Sequence, residues 1–387
     1  MASAKKHNAY RGLIIWMLVL LALAALACAG YLYTQKDLDK AVQENEAEVQ
    51  QTNATRIADY NKAVSEQSQR EAAAVVKVDT SWPTPAAQGW DVVDLSALPI
   101  SAGTQVSVTR SEMLQGGMLV VNRWHPMPSD LTDDMMVSIS RHSREDKDKK
   151  TNIPTENASV MLMSPAVDAL MALYSDARNE GLEMDHIIIE EGYRNMETQT
   201  QKWAKVSEKY SSRYSGEKLE EKIRAEGVAY PGTSDYQSGM SVKIYNYKSG
   251  DKEFSNTPLH ETQQGRWLYD NCWKYGLVFR FPVQGFPYAD TVDKSYITGI
   301  DMNMKVYRYA GIANATAMHA GGFCLEEYAQ YLIDHPHIAV FEDGALRCEI
   351  YRLDDPYGDA MVTIPGGAKN YTVSSDNLGG MIVAAGF

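Results

Sequence analysis

The sequence predicts an α+β protein, and three observations carry that class. An amphipathic helix from Ser164 to Gly181 runs directly into a buried strand, His186 to Glu190. A second strand, Met240 to Tyr245, is followed by a helix around Trp267 to Tyr275 and two short helices after Gly311. Beyond Pro336 the chain turns to short alternating segments separated by tight turns. The 387 residues, 44% hydrophobic and 22% charged, suit one large globular domain with appendages and exclude a disordered chain. The net charge of −13 becomes −16 for residues 12–387, because Lys5, Lys6 and Arg11 put three positive charges at the N-terminus. Such a surface repels phosphate backbones and argues against nucleic-acid partners.

Taken in order, residues 1–11 read as a cytoplasmic tail and 12–34 as a transmembrane anchor. No charge interrupts Gly12 to Gln35, and the 22 residues from Gly12 to Tyr33 would span about 33 Å as a helix, the thickness of a bilayer core. Trp16, Tyr31 and Tyr33 sit near its ends, where aromatic belts form, and the basic residues before it place the tail inside and residues 36–387 outside the cell membrane. A cleaved signal peptide is the competing reading, since Ala25-Leu26-Ala27 resembles a cleavage site, but the apolar run exceeds a signal-peptide core.

Residues 35–78 are polar, rich in Gln, Glu, Ala and Lys, and lack Pro and Gly, which predicts a helical stalk. Trp82-Pro83-Thr84-Pro85 breaks it, and 79–117 reads as a linker with short strands. The core domain spans 118–334. In its clearest helix Ser164 is the expected N-cap, Pro165 the first position, Val167, Leu170, Met171 and Tyr174 the apolar stripe, and Gly181 the stop. Residues 335–387 form a small β extension, with Asp-Gly, Pro-Tyr-Gly and Pro-Gly-Gly turns between strands at 338–341, 348–353, 359–364 and 380–384. Cys272, Cys324 and Cys348 lie outside the anchor with no C-x-x-C pair; one disulfide with a free thiol and three buried thiols both remain open. The eight histidines include no HExxH or other ligand-spaced pair.

Four blocks in the core carry a resemblance. They are Leu119 to Arg123 with His125 to Pro128; Glu191-Gly192-Tyr193-Arg194-Asn195 with Gln199; Pro231 to Lys243; and Tyr307-Arg308-Tyr309-Ala310-Gly311. In order and spacing they resemble the VanY-type D-alanyl-D-alanine carboxypeptidases, LAS zinc peptidases that trim peptidoglycan stem peptides. The second block is similar to SGYRS…Q, the third to PGxSxHxxGxAxD and the fourth to the tail of ExWHYRYVG. The resemblance implies an antiparallel sheet with helices around it.

The departures concern chemistry. Where the family has a zinc-binding His and Asp, this chain has Tyr236 and Lys243; where it has the general base and the third ligand, it has Asn303 and Val306. A catalytic zinc needs about three N, O or S ligands and lowers its water's pKa to about 7. Valine donates nothing, an ammonium repels the cation, and Asn takes no proton from water. The expectation is therefore neither zinc nor catalytic residues at these positions.

The recognition half survives. By resemblance Arg194 and Gln199 face a substrate's terminal carboxylate and Ser234 lines the same cleft; an Arg fork suits a carboxylate, although a structural ion pair is the alternative for Arg194. Lys243 either anchors the emptied site or attracts a ligand oxygen, against a solvated lysine. The leading reading is a membrane-anchored, extracytoplasmic, inactive homologue that binds peptidoglycan stem peptide or a cell-wall partner. The alternatives are an active D-alanyl-D-alanine carboxypeptidase with an unrecognised site, and a purely structural cell-envelope scaffold.

Overall fold

The structure, a computed structural model, describes residues 82–387 except 146, 147, 301 and 302, together with scattered positions up to residue 62. The chain divides into two compact units, Met1–Asp79 and Thr80–Phe387. Most of the expected anchor 12–34 and stalk 35–78 lies outside the described residues. Of the anchor, Met17 and residues 20–26 are helical. Among the described residues no helix is long and apolar enough to cross a membrane.

The second unit contains the strands β1 (Trp90–Asp94), β2 (Gly103–Val108), β3 (Met136–Ser138), β4 (Met161–Met163) and β5 (Ile187–Glu191). They continue as β6 (Ser241–Asn246), β7 (Leu277–Phe279), β8 (Val306–Tyr309), β9 (His337–Glu342) and β10 (Ala345–Asp354). The last three are β11 (Ala360–Pro365), β12 (Asn370–Ser375) and β13 (Gly380–Gly386). The helices that matter here are α1 (Ser164–Asn179), α2 (Met196–Ser211), α3 (Glu217–Ala225), α4 (Gln263–Asn271), α5 (Ile312–Gly321) and α6 (Leu325–Asp334).

The central sheet has the order β5-β6-β8-β7, every pair antiparallel. Its Ile187, Ile189, Val242 and Ile244 side chains are buried with Val167, Leu170, Leu173 and Tyr174 of α1, so the helix covers one face of the sheet. The helix start differs from expectation by one residue. β4 runs straight into α1, so Met163 is the N-cap, Ser164 is already helical and no side chain caps the end. The stop is as the glycine predicts: Gly181, at φ +87°, lets its own N–H reach Arg178 O and that of Leu182 reach Ala177 O.

The second sheet runs β1-β9-β10-β13-β12, again antiparallel. β1 comes from the segment expected to be a linker, and β2 from the same segment pairs with β11. Linker and extension therefore share their sheets. One face of the large sheet, through Ile338, Val340, Ile350, Ile382 and Ala384, packs on α5 and α6. Its other face, through Tyr351, Val373, Met381 and Val383, packs on Val108, Val362 and Ile364 of the β2–β11 ribbon. A strand covered on both faces loses the apolar–polar alternation, which is why all of β13 is buried. Cys272, Cys324 and Cys348 are buried free thiols, and burial pushes the Cys272 and Cys324 thiols up to about 12.

Candidate functional site

The site is built where the loop 231–239 feeds β6. A 3-10 turn, Asp235–Ser238, ends on Gly239 in the left-handed region at φ +71°. At that φ an L side chain is strained, and a Cβ there would also press on the thioether end of Met136, at 2.6 Å. The Gln237 side chain accepts from the Gly232 N–H at 2.7 Å and ties the loop to itself. This loop places Ser234, Asp235 and Tyr236, all buried, beside a cavity of about 290 Å³. Asn303, Phe281, Ile300, Trp203 and Tyr230 also line it, as does Arg280.

Beneath the cavity lies a buried ionic network. Arg308 donates to Asp235 Oδ1 at 2.6 Å, and Arg280 Nε is 3.2 Å from the same oxygen. Arg280 makes a two-pronged contact with Glu326, at 2.9 and 2.7 Å. Arg308 also donates to Ser238 Oγ and to the carbonyls of Gly117, Leu119 and Tyr309. Two cations thus meet two carboxylates, the arrangement that lets full charges stay buried. Burial alone would raise the Asp235 carboxyl; Arg280 and then Arg308 outweigh it and hold it below its ordinary value. Sequence reasoning missed this network. Its signal was an arginine inside each of two apolar strand ends, Val278-Phe279-Arg280-Phe281 and Val306-Tyr307-Arg308-Tyr309, which cannot be buried there unpaired.

The four positions singled out for lost chemistry come together. Lys243 and Val306 are register partners across β6 and β8. Tyr236 and Val306 join Phe281 and Ile300 in a small apolar cluster, and Asn303 lines the cavity beside Tyr236. The Tyr236 hydroxyl is buried without a hydrogen bond of good geometry. Burial pushes that phenol well above its ordinary range, with Arg194, and then the neighbouring Asn303 side chain, acting the other way. Lys243 reaches neither Tyr236 nor the cavity wall; its Nζ lies 2.8 Å from Glu190. A buried neutral phenol, a paired ammonium, a valine and an amide do not make a zinc site. Among the described residues no group of three or more His, Cys, Asp or Glu side chains is placed to hold a metal.

The recognition residues are positioned by α2, whose N-cap Asn195 accepts from the Thr198 N–H at 2.9 Å. That fixes Gln199 one turn into the helix, fully buried, donating to Ala229 O at 2.7 Å and accepting from Arg194 Nη1 at 3.0 Å. Arg194 is buried with its guanidinium 4.0 Å above the Tyr236 ring. Its remaining contacts go to Glu191: Nε donates to Oε1 at 2.9 Å and Nη2 to Oε2. Arg194 is thus in an ion pair with Glu191, and of the three recognition residues only Ser234 lines the cavity. A bulge between Ile189 and Glu191 gives this edge its shape; such an extra residue re-aims side chains. Across it Glu190 meets Lys243, while Glu191 meets Arg194 and Lys202.

Comparison with known proteins bears on the whole arrangement. The family VanY, D-alanyl-D-alanine carboxypeptidase, matches residues 159–295, a stretch that holds Arg194, Gln199, Ser234, Tyr236 and Lys243 and stops short of Asn303 and Val306. A D-alanyl-D-alanine carboxypeptidase of Enterococcus faecium is 24% identical over 278 residues, 72% of this chain and 77% of that one. Another, of Enterococcus faecalis, is 31% identical over 215 residues, 54% of this chain and 65% of that one. The crystal structure of the vancomycin-resistance D,D-dipeptidase VanXYg, in complex with a D-Ala-D-Ala phosphinate analog, covers 73% of this chain and 99% of its own. At a TM-score of 0.52 and 21% identity, that likeness is one of fold. Residues 159–295 thus match the VanY, D-alanyl-D-alanine carboxypeptidase family, and the chain is similar to the D-alanyl-D-alanine carboxypeptidases of two enterococci.

Proposed function

We propose that this protein is a catalytically inactive VanY-type homologue, anchored in the cell membrane by residues 12–34, that holds a peptidoglycan stem peptide or a cell-wall partner on its extracytoplasmic side without hydrolysing it. One observation carries the reading. Tyr236, Lys243, Asn303 and Val306 gather around the β6–β8 pairing and the cavity edge, yet contribute no metal-ligand set and no base. The apolar cluster of Tyr236, Val306, Phe281 and Ile300 fills space where hydrolysis would require ligands and water. The binding half is supported by the cavity itself, with aromatic walls at Trp203, Tyr230 and Phe281 and a polar floor at Ser234 and Asn303. The anchor is supported by the uncharged run from Gly12 to Gln35 behind Lys5, Lys6 and Arg11.

The test is a titration of the full-length protein with a pentapeptide ending in D-Ala-D-Ala, with D-alanine release followed in the same sample. Saturable binding without release is expected. A second reading, an active carboxypeptidase, is favoured by the names of the two enterococcal relatives; release of D-alanine above the blank decides for it. Retention of the protein in carbonate-washed membranes, lost on deletion of residues 12–34, tests the anchor.

A further inference from the structure

Arg194 offers five N–H donors, and the pair best placed for a carboxylate is already taken. Nε and Nη2, the side-on fork, both point at the Glu191 carboxylate, and Nη1 is held by Gln199. One face of the guanidinium is covered by the Tyr236 ring. The three charged groups form a gradient of exposure: the Arg194 side chain is 7% exposed, Glu191 21% and Lys202 40%. Lys202 Nζ lies 2.7 Å from Glu191 Oε1. Glu191 thus sits between a buried cation and a surface cation, and has a partner on either side. Burial would raise its carboxyl, but Arg194 and then Lys202 hold it below its ordinary value, so it stays an anion.

We propose that Glu191 is a built-in carboxylate ligand of Arg194, which keeps the fork closed to an external carboxylate until Glu191 is handed over to Lys202. This rests on the reading of the site as one that recognises a carboxyl-terminated peptide, and it adds a regulatory contact to that site. The exchange brings one further negative charge to a cluster of two cations and one anion, leaving each cation with its own carboxylate: the external one on Arg194, and Glu191 on Lys202, which it already touches. An internal ligand of this kind lowers the apparent affinity for the external one by the fraction of time it occupies the fork.

Sodium acetate is the probe, titrated into the full-length protein while the Arg194 Nε–H resonance is followed, with sodium chloride as the salt control. In Glu191→Gln and Glu191→Ser the resonance is expected to saturate at an acetate concentration at least ten-fold lower than in the wild type. Lys202→Met, a change at an exposed position, keeps the test open if both of those variants fail to fold. It removes the alternative partner and should raise the acetate concentration required several-fold. Equal titration of all four proteins, or no response in any, overturns the proposal. A peptide ending in D-Ala-D-Ala separates the two levels. If it binds none of these proteins while acetate behaves as expected, the peptide reading fails and the Glu191 contact stands. Equal peptide affinity in wild type and Glu191→Gln leaves the peptide reading and overturns the contact.

Discussion

Lys243 and Val306 face one another as register partners across β6 and β8, where an ammonium and a valine occupy two positions that the family resemblance assigns to zinc ligands. Cross-strand neighbours lie about 4.5–5.5 Å apart at Cβ, close enough for two side chains to share one ion. An ammonium and an alkyl side chain offer a metal no lone pair at these two positions. Lys243 is turned to Glu190, and Val306 is packed on Tyr236 and Phe281.

Rebuilding the ligands should rebuild the site. The variant carrying Tyr236→His, Lys243→Asp and Val306→His is expected to purify with stoichiometric zinc, while each single change binds none. Elemental analysis checks this. A folded triple variant without metal would mean that the three positions do not converge on one ion.

The Tyr236 hydroxyl is buried and without a good hydrogen bond, and leaving such a group unsatisfied costs about 1–3 kcal/mol. Tyr236→Phe keeps the ring beneath Arg194 and should stabilise the fold by about 1 kcal/mol. Thermal unfolding of the two proteins should show a higher Tm for the variant.

Asp235 holds two buried arginines, so Asp235→Asn should destabilise the protein by about 3–5 kcal/mol, the cost of breaking a buried ion pair. The pH dependence follows from the direction of its shift. A carboxylate whose folded pKa is depressed contributes stability above its unfolded value, about 3.9 for Asp, and loses it as the pH falls through the folded value. Glu191, also held low, adds to the same slope. Urea unfolding should therefore show wild-type stability falling steeply below about pH 4, with a shallower fall in Asp235→Asn.

Removing residues 335–387 should abolish folding of the rest of the unit. Ala313, Ala317, Met318, Leu325, Tyr328 and Leu332 on α5 and α6 pack against Ile338, Val340, Ile350 and Ile382, so truncation exposes a continuous apolar face. Solubility of the 80–334 fragment, compared with 80–387, reports the outcome; a soluble, cooperatively melting 80–334 contradicts it.

Much of this fold was legible because periodicity records burial. The stripe on α1 and the buried Ile187 and Ile189 bury apolar side chains at the spacing their backbone dictates, whereas the strands after Pro336 were legible from their turns, since β9 and β13 are buried almost throughout. α2 was not legible: it is a surface helix whose one buried residue is the polar Gln199. β12 was missed because its buried end is Val373-Ser374-Ser375, where Ser375 Oγ donates to Asp355 instead of filling an apolar core. The helices α5 and α6 read correctly as helices, but neither the alanine-rich buried face of α5 nor the Leu325, Tyr328 and Leu332 stripe of α6 gave a hint that they cover the C-terminal sheet. At the site, the motif order located Tyr236, Lys243, Asn303 and Val306, whereas no residue pattern announces the β-bulge beside Glu191 or which carboxylate Arg194 pairs with.

The proposed inactive state is decided by zinc content and D-alanine release on the purified full-length protein, with a pentapeptide ending in D-Ala-D-Ala. The account predicts substoichiometric zinc and no D-alanine above the blank. Stoichiometric zinc with turnover would contradict it, and would place the ligands on residues other than Tyr236, Lys243 and Val306.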